Sequence, residues 1–333
     1  MKRLETKLAP VTLDVALRKQ GHTDDLRDGV VKIRGVGLNH IDVQPAIAAY
    51  RRMVRDVEFD LCEMAPTTYY IARAHGAPFK ALPIFLTRRF HHLGFVVRDD
   101  AGIRSPKDLE GKKVGVRAYS VTTGVWGRGI LANEYGVDIS KVTWVVDDEE
   151  HVQQLQLPDN VEHVPAGRSL ASMMASGEIQ AGFTANAGIG REGPPQPGWE
   201  AKKHTETTSY KELWPNGLEL SAQWFRRTGI YPFHGLVVVK DSVLNAHPWI
   251  ADELFRAFSQ AKENWLKRLH AGEATSAEDL EYKHFSAIVG DDPLPYGIAE
   301  NLPTIEALID YSVQQKLMPR RLSVDELFVD AKA

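Results

Sequence analysis

The chain is predicted to fold as two α/β lobes, and three observations carry that prediction. Its 333 residues exceed what one hydrophobic core usually serves. Short apolar runs alternate with helical periodicity from about residue 40 onward, the order expected of sheets wrapped by helices. A second series of the same kind begins after residue 98, and an apolar strand returns near residue 235. We therefore divide the chain into a discontinuous first lobe, 1–98 with 232–333, and a second lobe, 99–231.

In order, "HIDVQP" reads as a strand, "AIAAYRRMVRD" as a helix, "EFDLCEM" as a strand, "APTTYYIARAHG" as a helix, then "FKALPIFL" and "LGFVV" as strands. This order favours a parallel sheet. "KKVGV" opens the second series, followed by a helix over Thr122 to Tyr135, a strand "VTWVV", a helix near Ser169 to Ser176 and a strand "IQAGFTA". The Pro- and Gly-rich "REGPPQPGWEAKKHTETTS" reads as an exposed connection. "HGLVVVKDS" is a strand, and the helix after it carries Pro248 in its first turn, where a missing N–H costs nothing. The apolar faces of "LIDYSVQQKLMPRRLSVDELF" are expected to pack on their own lobe, a homo-oligomer being the alternative.

Composition narrows the function classes. With 43% hydrophobic and 25% charged residues the chain suits a soluble globular protein. A formal charge of -4 provides no broad basic face, so nucleic acid is not an expected partner and anion binding must come from a local cluster. Cys62 is the single cysteine, which excludes an internal disulfide and a thiolate-rich metal site. Glu5, Lys7 and Asp14 interrupt any apolar leader, and no run of about 18 uncharged apolar residues exists; a cytoplasmic protein without a membrane partner is expected. HExxH, a strand-linked GxGxxG and GxSxG are absent, and no metal or cofactor is expected.

The local cluster lies in "LPIFLTRRFHHLGFVV", where Arg88, Arg89, His91 and His92 separate two core strands. A connection leaving a strand's carboxyl end opens where α/β folds place ligands. Side-chain alternation lets about half of the four face a ligand. Arg88 and His91 are favoured, with Arg89 and His92 assigned to structural ion pairs or solvent. A second anion site is expected where Tyr119 to Thr123 joins a strand to a helix whose first N–H groups are unpaired. Thr122 and Thr123 add hydroxyl donors there, and Arg128 can lean back toward the same mouth. His234 of "YPFHG" falls at the return crossing between lobes. Glu63 either orients an imidazole or caps the helix that follows it.

The stretches "PIFLTRRFHH", "VRDDAGIRSPKDLEGKKVGV", "VWGRGILANEYGV", "RRTGIYPFHGLVVV", "HPWIADELFRAF" and "GDDPLPYGIAENLPTIEALIDYSVQQKL" together resemble the 4,5-dihydroxyphthalate decarboxylase family, which has a type 2 periplasmic-binding-protein-like fold. The resemblance spans most of Phe59 to Phe328. It departs at "RKQGHTDDLRDG", where His22 and Thr23 stand in place of an Arg-Thr pair, and at "TANAG", which holds Asn186. It implies cofactor-independent decarboxylation of a hydroxylated aromatic acid in aromatic catabolism, most simply 4,5-dihydroxyphthalate to 3,4-dihydroxybenzoate. Arg128 and the Tyr119 to Thr123 mouth would hold the spectator carboxylate, Arg88 would orient the second anionic edge, and His91 or His234 would deliver the proton. Arg89, Glu63 and Asn186 complete the substrate-binding set. The alternatives are a non-catalytic solute-binding protein for a small carboxylate, and a thiamine-pyrimidine synthase, for which one cysteine is a poor endowment.

Overall fold

The computed structural model describes residues 10–190 and 209–332; the connection read over 191–209 lies outside them except for Ser209. Eleven strands form two sheets among the described residues. The first contains β1 (Val11–Ala16), β2 (Val36–His40), β3 (Leu61–Met64), β4 (Phe79–Arg88) and β11 (Phe233–Lys240), in the order β2-β1-β3-β11-β4. The second contains β5 (Phe95–Arg98), β6 (Lys113–Gly115), β7 (Thr143–Val146), β8 (Val161–His163), β9 (Ala181–Phe183) and β10 (Tyr210–Glu212), in the order β10-β5-β9-β6-β7-β8.

The unbroken apolar runs are strands covered on both faces. Along β4, Phe79, Ala81 and Phe85 enter one core cluster, whereas Leu82, Ile84 and Leu86 enter another. Along β11, Leu236 and Val238 join the first cluster and Val237 and Val239 the second. A period of two therefore persists although the runs 81–86 and 235–239 are apolar throughout. The helix Ile250–Ala271 covers one face through Ile250, Leu254 and Phe258. The helix Pro66–Ala74 covers the other through Tyr69 and Tyr70.

Three expectations change. The first sheet is mixed, because β11 runs antiparallel to both β3 and β4 while β1 pairs parallel with β2 and β3. The edge strand β2 is "VGLNH" rather than "HIDVQP"; its positions are at most half-buried, so its hydrophobic signal is weak. Trp249 stands at the N-cap of the helix Ile250–Ala271, so Pro248 precedes that helix rather than entering it. The helix expected over Thr122 to Tyr135 has those bounds, ended by Gly136 at φ 64°, a conformation glycine adopts without strain.

The chain passes between sheets twice, after β4 and before β11. Because Phe95–Arg98 belongs to the second sheet, the first crossing occupies 89–94 rather than ending at 98. The crossings lie side by side: Phe233 pairs with Arg88, and the Arg89 amide donates to the Pro232 carbonyl at 3.3 Å. The helix Leu302–Gln314 then packs on both Thr122–Tyr135 and Pro66–Ala74, so its apolar face is consumed within the chain. A Cβ built on Gly129 would meet the Tyr311 ring at 2.0 Å. Gly129→Ala is accordingly expected to lose about 1–3 kcal/mol of unfolding free energy, read as a lowered urea midpoint at unchanged slope.

Candidate active site

The strand ends and the two crossings converge on a cleft of about 510 Å³ between the sheets. From the first sheet's side it is lined by Arg18, Tyr50, Thr87, Arg89, His91 and His234. From the second it is lined by Arg117, Ser120, Thr122, Thr123, His151 and Asn186. The cleft is bridged on one flank by helix Ile47–Asp56. There Arg51 pairs with Asp148 and Glu149, and Arg55 donates to the Glu150 and His151 carbonyls.

At the centre, the Nε2 atoms of His91 and His234 stand 2.7 Å apart, with ring centroids separated by 4.7 Å. His91 also stacks on Trp126. One imidazole must donate and the other accept across that contact, so the pair shares a single proton there. Burial is the main force pushing both imidazoles well below the usual value of 6.5; the charges of Arg89 and His92 add to it at His91, and those of His91, Arg89 and Arg18 add to it at His234. Both imidazoles are therefore neutral at pH 7, and an anion bound beside them would favour protonation.

Two of the four basic residues face the cleft, as expected, but the arginines exchange places. Arg89 and His91 line the cleft, whereas Arg88 turns into the first lobe. Arg88 donates to the carbonyls of Tyr231 at 2.6 Å and Pro295 at 2.9 Å and to Asn301, and it lies over the rings of Phe85 and Tyr231. Burial brings it down to about 10. The expected role in orienting an anionic edge does not fit this placement, since both Nη groups are engaged by Tyr231, Pro295 and Asn301 away from the cleft. His92 is also turned away, bonded to Ser221 and ringed by Trp214, Trp224 and Tyr135.

Arg128 is likewise withdrawn from the cleft. It is fully buried, donates to Gln315 Oε1 at 2.7 Å and to the Tyr119 carbonyl, and is sandwiched by Tyr119 and Trp144. The Tyr119 ring belongs to that sandwich rather than to the lining. The mouth itself is where it was expected: Thr122 and Thr123 face the cleft, with the Thr122 hydroxyl 2.8 Å from that of Thr67. Glu63 neither caps the following helix nor touches an imidazole. Its buried carboxylate accepts from Arg18 Nε at 2.9 Å and Nη2 at 2.5 Å, and from the Tyr50 hydroxyl at 3.3 Å.

Arg18, Arg117 and His151 were not nominated from the sequence. Arg18 lies two residues beyond β1, and Arg117 two residues beyond β6. The rule that ligands bind beyond the carboxyl ends of strands, applied to every strand, would have found both. Arg18 Nη2 also donates to the Thr87 hydroxyl at 2.8 Å, and Nη1 has no hydrogen bond among the described residues. Arg117 is ion-paired with Asp148 at 3.3 Å. His22 and Thr23, at the point of departure from the family pattern, are buried outside the cleft; His22 packs edge-on to Trp265 and Tyr282. Among the described residues no group of three or more His, Cys, Asp or Glu is placed to hold a metal ion, and no helix is long and apolar enough to cross a membrane.

The buried histidines set an acid limit on stability. Burial holds His22 and His151 near about 3 and His92 near about 4, all below 6.5. Above pH 6.5 these groups are neutral in both folded and unfolded chains. Below it the unfolded chain binds protons that the native structure refuses, so stability is lost as pH falls. A histidine held near 3 costs about 2 kcal/mol at pH 5. Melting temperature should drop steeply between pH 7 and 5; an unchanged value would contradict this burial.

The profile of a family described as ABC transporter, phosphonate, periplasmic substrate-binding protein matches residues 37–285. A 4,5-dihydroxyphthalate decarboxylase of Comamonas testosteroni is 31% identical over 334 residues, covering 96% of this chain and 97% of the relative. A second, from Pseudomonas putida, is 32% identical over 224 residues, covering 65% of this chain and 82% of the relative. Among solved structures, the alkanesulfonate-binding protein SsuA of Xanthomonas axonopodis pv. citri, bound to MOPS, superposes with a TM-score of 0.51 at 15% identity, over 96% of this chain and 99% of that one. DSZB in complex with biphenyl-2-sulfinic acid gives 0.52 at 16% identity, over 96% of each chain. These two likenesses concern the fold alone. Two sheets in the strand orders described, joined by paired crossings, are that fold, and the sequence relatives narrow the family further. The chain belongs to the 4,5-dihydroxyphthalate decarboxylase family, built on a periplasmic-binding-protein-like fold.

Proposed function

We propose that the protein removes carbon dioxide from a hydroxylated aromatic dicarboxylate, with 4,5-dihydroxyphthalate as substrate and 3,4-dihydroxybenzoate as product. The observation that carries this reading is the His91–His234 pair, one shared proton between nitrogens 2.7 Å apart, placed in a cleft that also contains Arg18, Arg89 and Arg117. A benzenoid diacid suits a cavity of about 510 Å³.

In this reading the two carboxylates divide between lobes. One meets the Arg18 guanidinium; the other meets Arg117 and the Thr122–Thr123 helix terminus, where unpaired N–H groups and the helix dipole favour negative charge. The substrate's charge raises the proton affinity of the imidazole pair. A proton then passes from an imidazole to the ring carbon bearing the departing carboxylate, drawing on electron density pushed from the hydroxyl para to it. The carbon–carboxylate bond breaks, its electron pair restores the aromatic ring, and carbon dioxide leaves. One proton is taken up per turnover. Arg128 and Arg88 serve from behind, holding the Tyr119 carbonyl and the return crossing in place.

The test is to incubate the purified protein with 4,5-dihydroxyphthalate and follow gas evolution, product absorbance and ligand-induced melting shifts together. Stoichiometric carbon dioxide and 3,4-dihydroxybenzoate are expected. A raised melting temperature with no product would replace catalysis by solute binding, the role given in the description of the matching family profile.

A further inference from the structure

The lining of the cleft is cationic or neutral with one exception among the described residues, the carboxylate of Glu281. Glu281 lies on the helix Ala277–Val289, whose Phe285, one turn on, also lines the cleft. Residues four apart share a helix face, so buried Phe285 seats this helix on the cleft and places Glu281, an exposed side chain, at the rim. Phe285 is buried against Phe90 and Tyr231, with centroid separations of 5.4 and 6.4 Å, and that packing fixes the helix on the cleft. Glu281 itself has no hydrogen bond or ion pair with any described residue, whereas Glu63, close behind the lining, is fully engaged by Arg18 and Tyr50.

A carboxylate facing a pocket built for anions repels the ligand's carboxylates and accepts hydrogen bonds without donating any. Its compatible ligand group is a hydroxyl. We infer that Glu281 accepts a hydrogen bond from a ring hydroxyl of the ligand, marking the edge opposite the carboxylates and selecting hydroxylated aromatic acids over plain ones. This deepens the function proposed above and rests on it for the ligand class. A charge-assisted bond to the hydroxyl para to the departing carboxylate also increases electron donation into the ring, so the contact strengthens as the ring carbon is protonated.

The decisive measurement needs no turnover. Calorimetric affinities for 3,4-dihydroxybenzoate and for benzoate, which share one carboxylate and differ only in the hydroxyls, are compared in the native protein, Glu281→Gln and Lys283→Gln. The native protein is expected to prefer the dihydroxylated acid by about 3- to 10-fold. Glu281→Gln should collapse that preference by weakening the dihydroxylated ligand and leaving benzoate unchanged or tighter. Lys283→Gln, which alters charge on the same helix away from the lining, should keep it. No preference in the native protein, a preference retained in Glu281→Gln, or an equal loss in Lys283→Gln overturns the inference, whatever the decarboxylation assay returns. Absence of carbon dioxide with the preference lost only in Glu281→Gln would instead remove catalysis and leave the hydroxyl contact standing.

Discussion

His91→Ala and His234→Ala are each expected to slow carbon dioxide release by roughly 10²- to 10⁴-fold, the range a positioned general acid contributes. Substrate affinity should change far less, because burial keeps both imidazoles neutral and each makes its principal contact with the other at 2.7 Å. Removing one ring leaves the other without the partner that fixes its tautomer and orientation. The double variant should therefore fall no further than the worse single one, as residues acting as a unit do. Carbon dioxide release under saturating substrate, with calorimetric affinity alongside, checks this. Two alanine variants at full rate would eliminate the imidazole pair as the proton source.

The second large effect concerns Arg18, whose head group is fixed by Glu63 and Thr87. Arg18→Met should raise KM by about 10- to 100-fold, the usual range for a hydrogen bond to a charged group, while kcat changes little. Arg18→Met is also damaging to the fold, and more so than Glu63→Gln, because it leaves a buried charge without its partner at Glu63. Its carboxylate is 1% exposed and holds the Arg18 guanidinium further above its ordinary value. Breaking such a pair costs about 3 kcal/mol, at the low end of the buried range because the Arg18 side chain is 39% exposed. For Glu63→Gln a lower melting temperature together with a raised KM is expected, and Arg18→Met should lower the melting temperature further. If Glu63→Gln binds and melts like the native protein, the clamp has no role.

How much of this could be read from residues alone differs from element to element. The helix over Thr122 to Tyr135 was legible because Gly136 and a hydroxyl-rich start mark its ends. The core strands were legible because both faces are covered and the runs stay apolar. The edge strand β2 was displaced because a half-exposed strand carries little hydrophobic signal. In the cleft, His91, His234, Arg89, Thr122, Thr123 and Asn186 do line the cavity. Arg88 and Arg128 do not, and no local rule separates an arginine that faces a ligand from one that ties two segments together.

The amino-acid order by itself determined two α/β series, the crossing at which basic residues gather, and membership of a family. Those depend on local periodicity, turn chemistry and motif order, all written along the chain. The tertiary structure decided which members of that crossing meet. His91 and His234 are 143 residues apart in sequence and touch because β11 returns antiparallel beside β4. Arg88 is taken out of the site by Pro295 and Asn301, more than two hundred residues downstream. A side chain's partner is set by chain return, and the closing of a long loop leaves no local mark on the residues it joins.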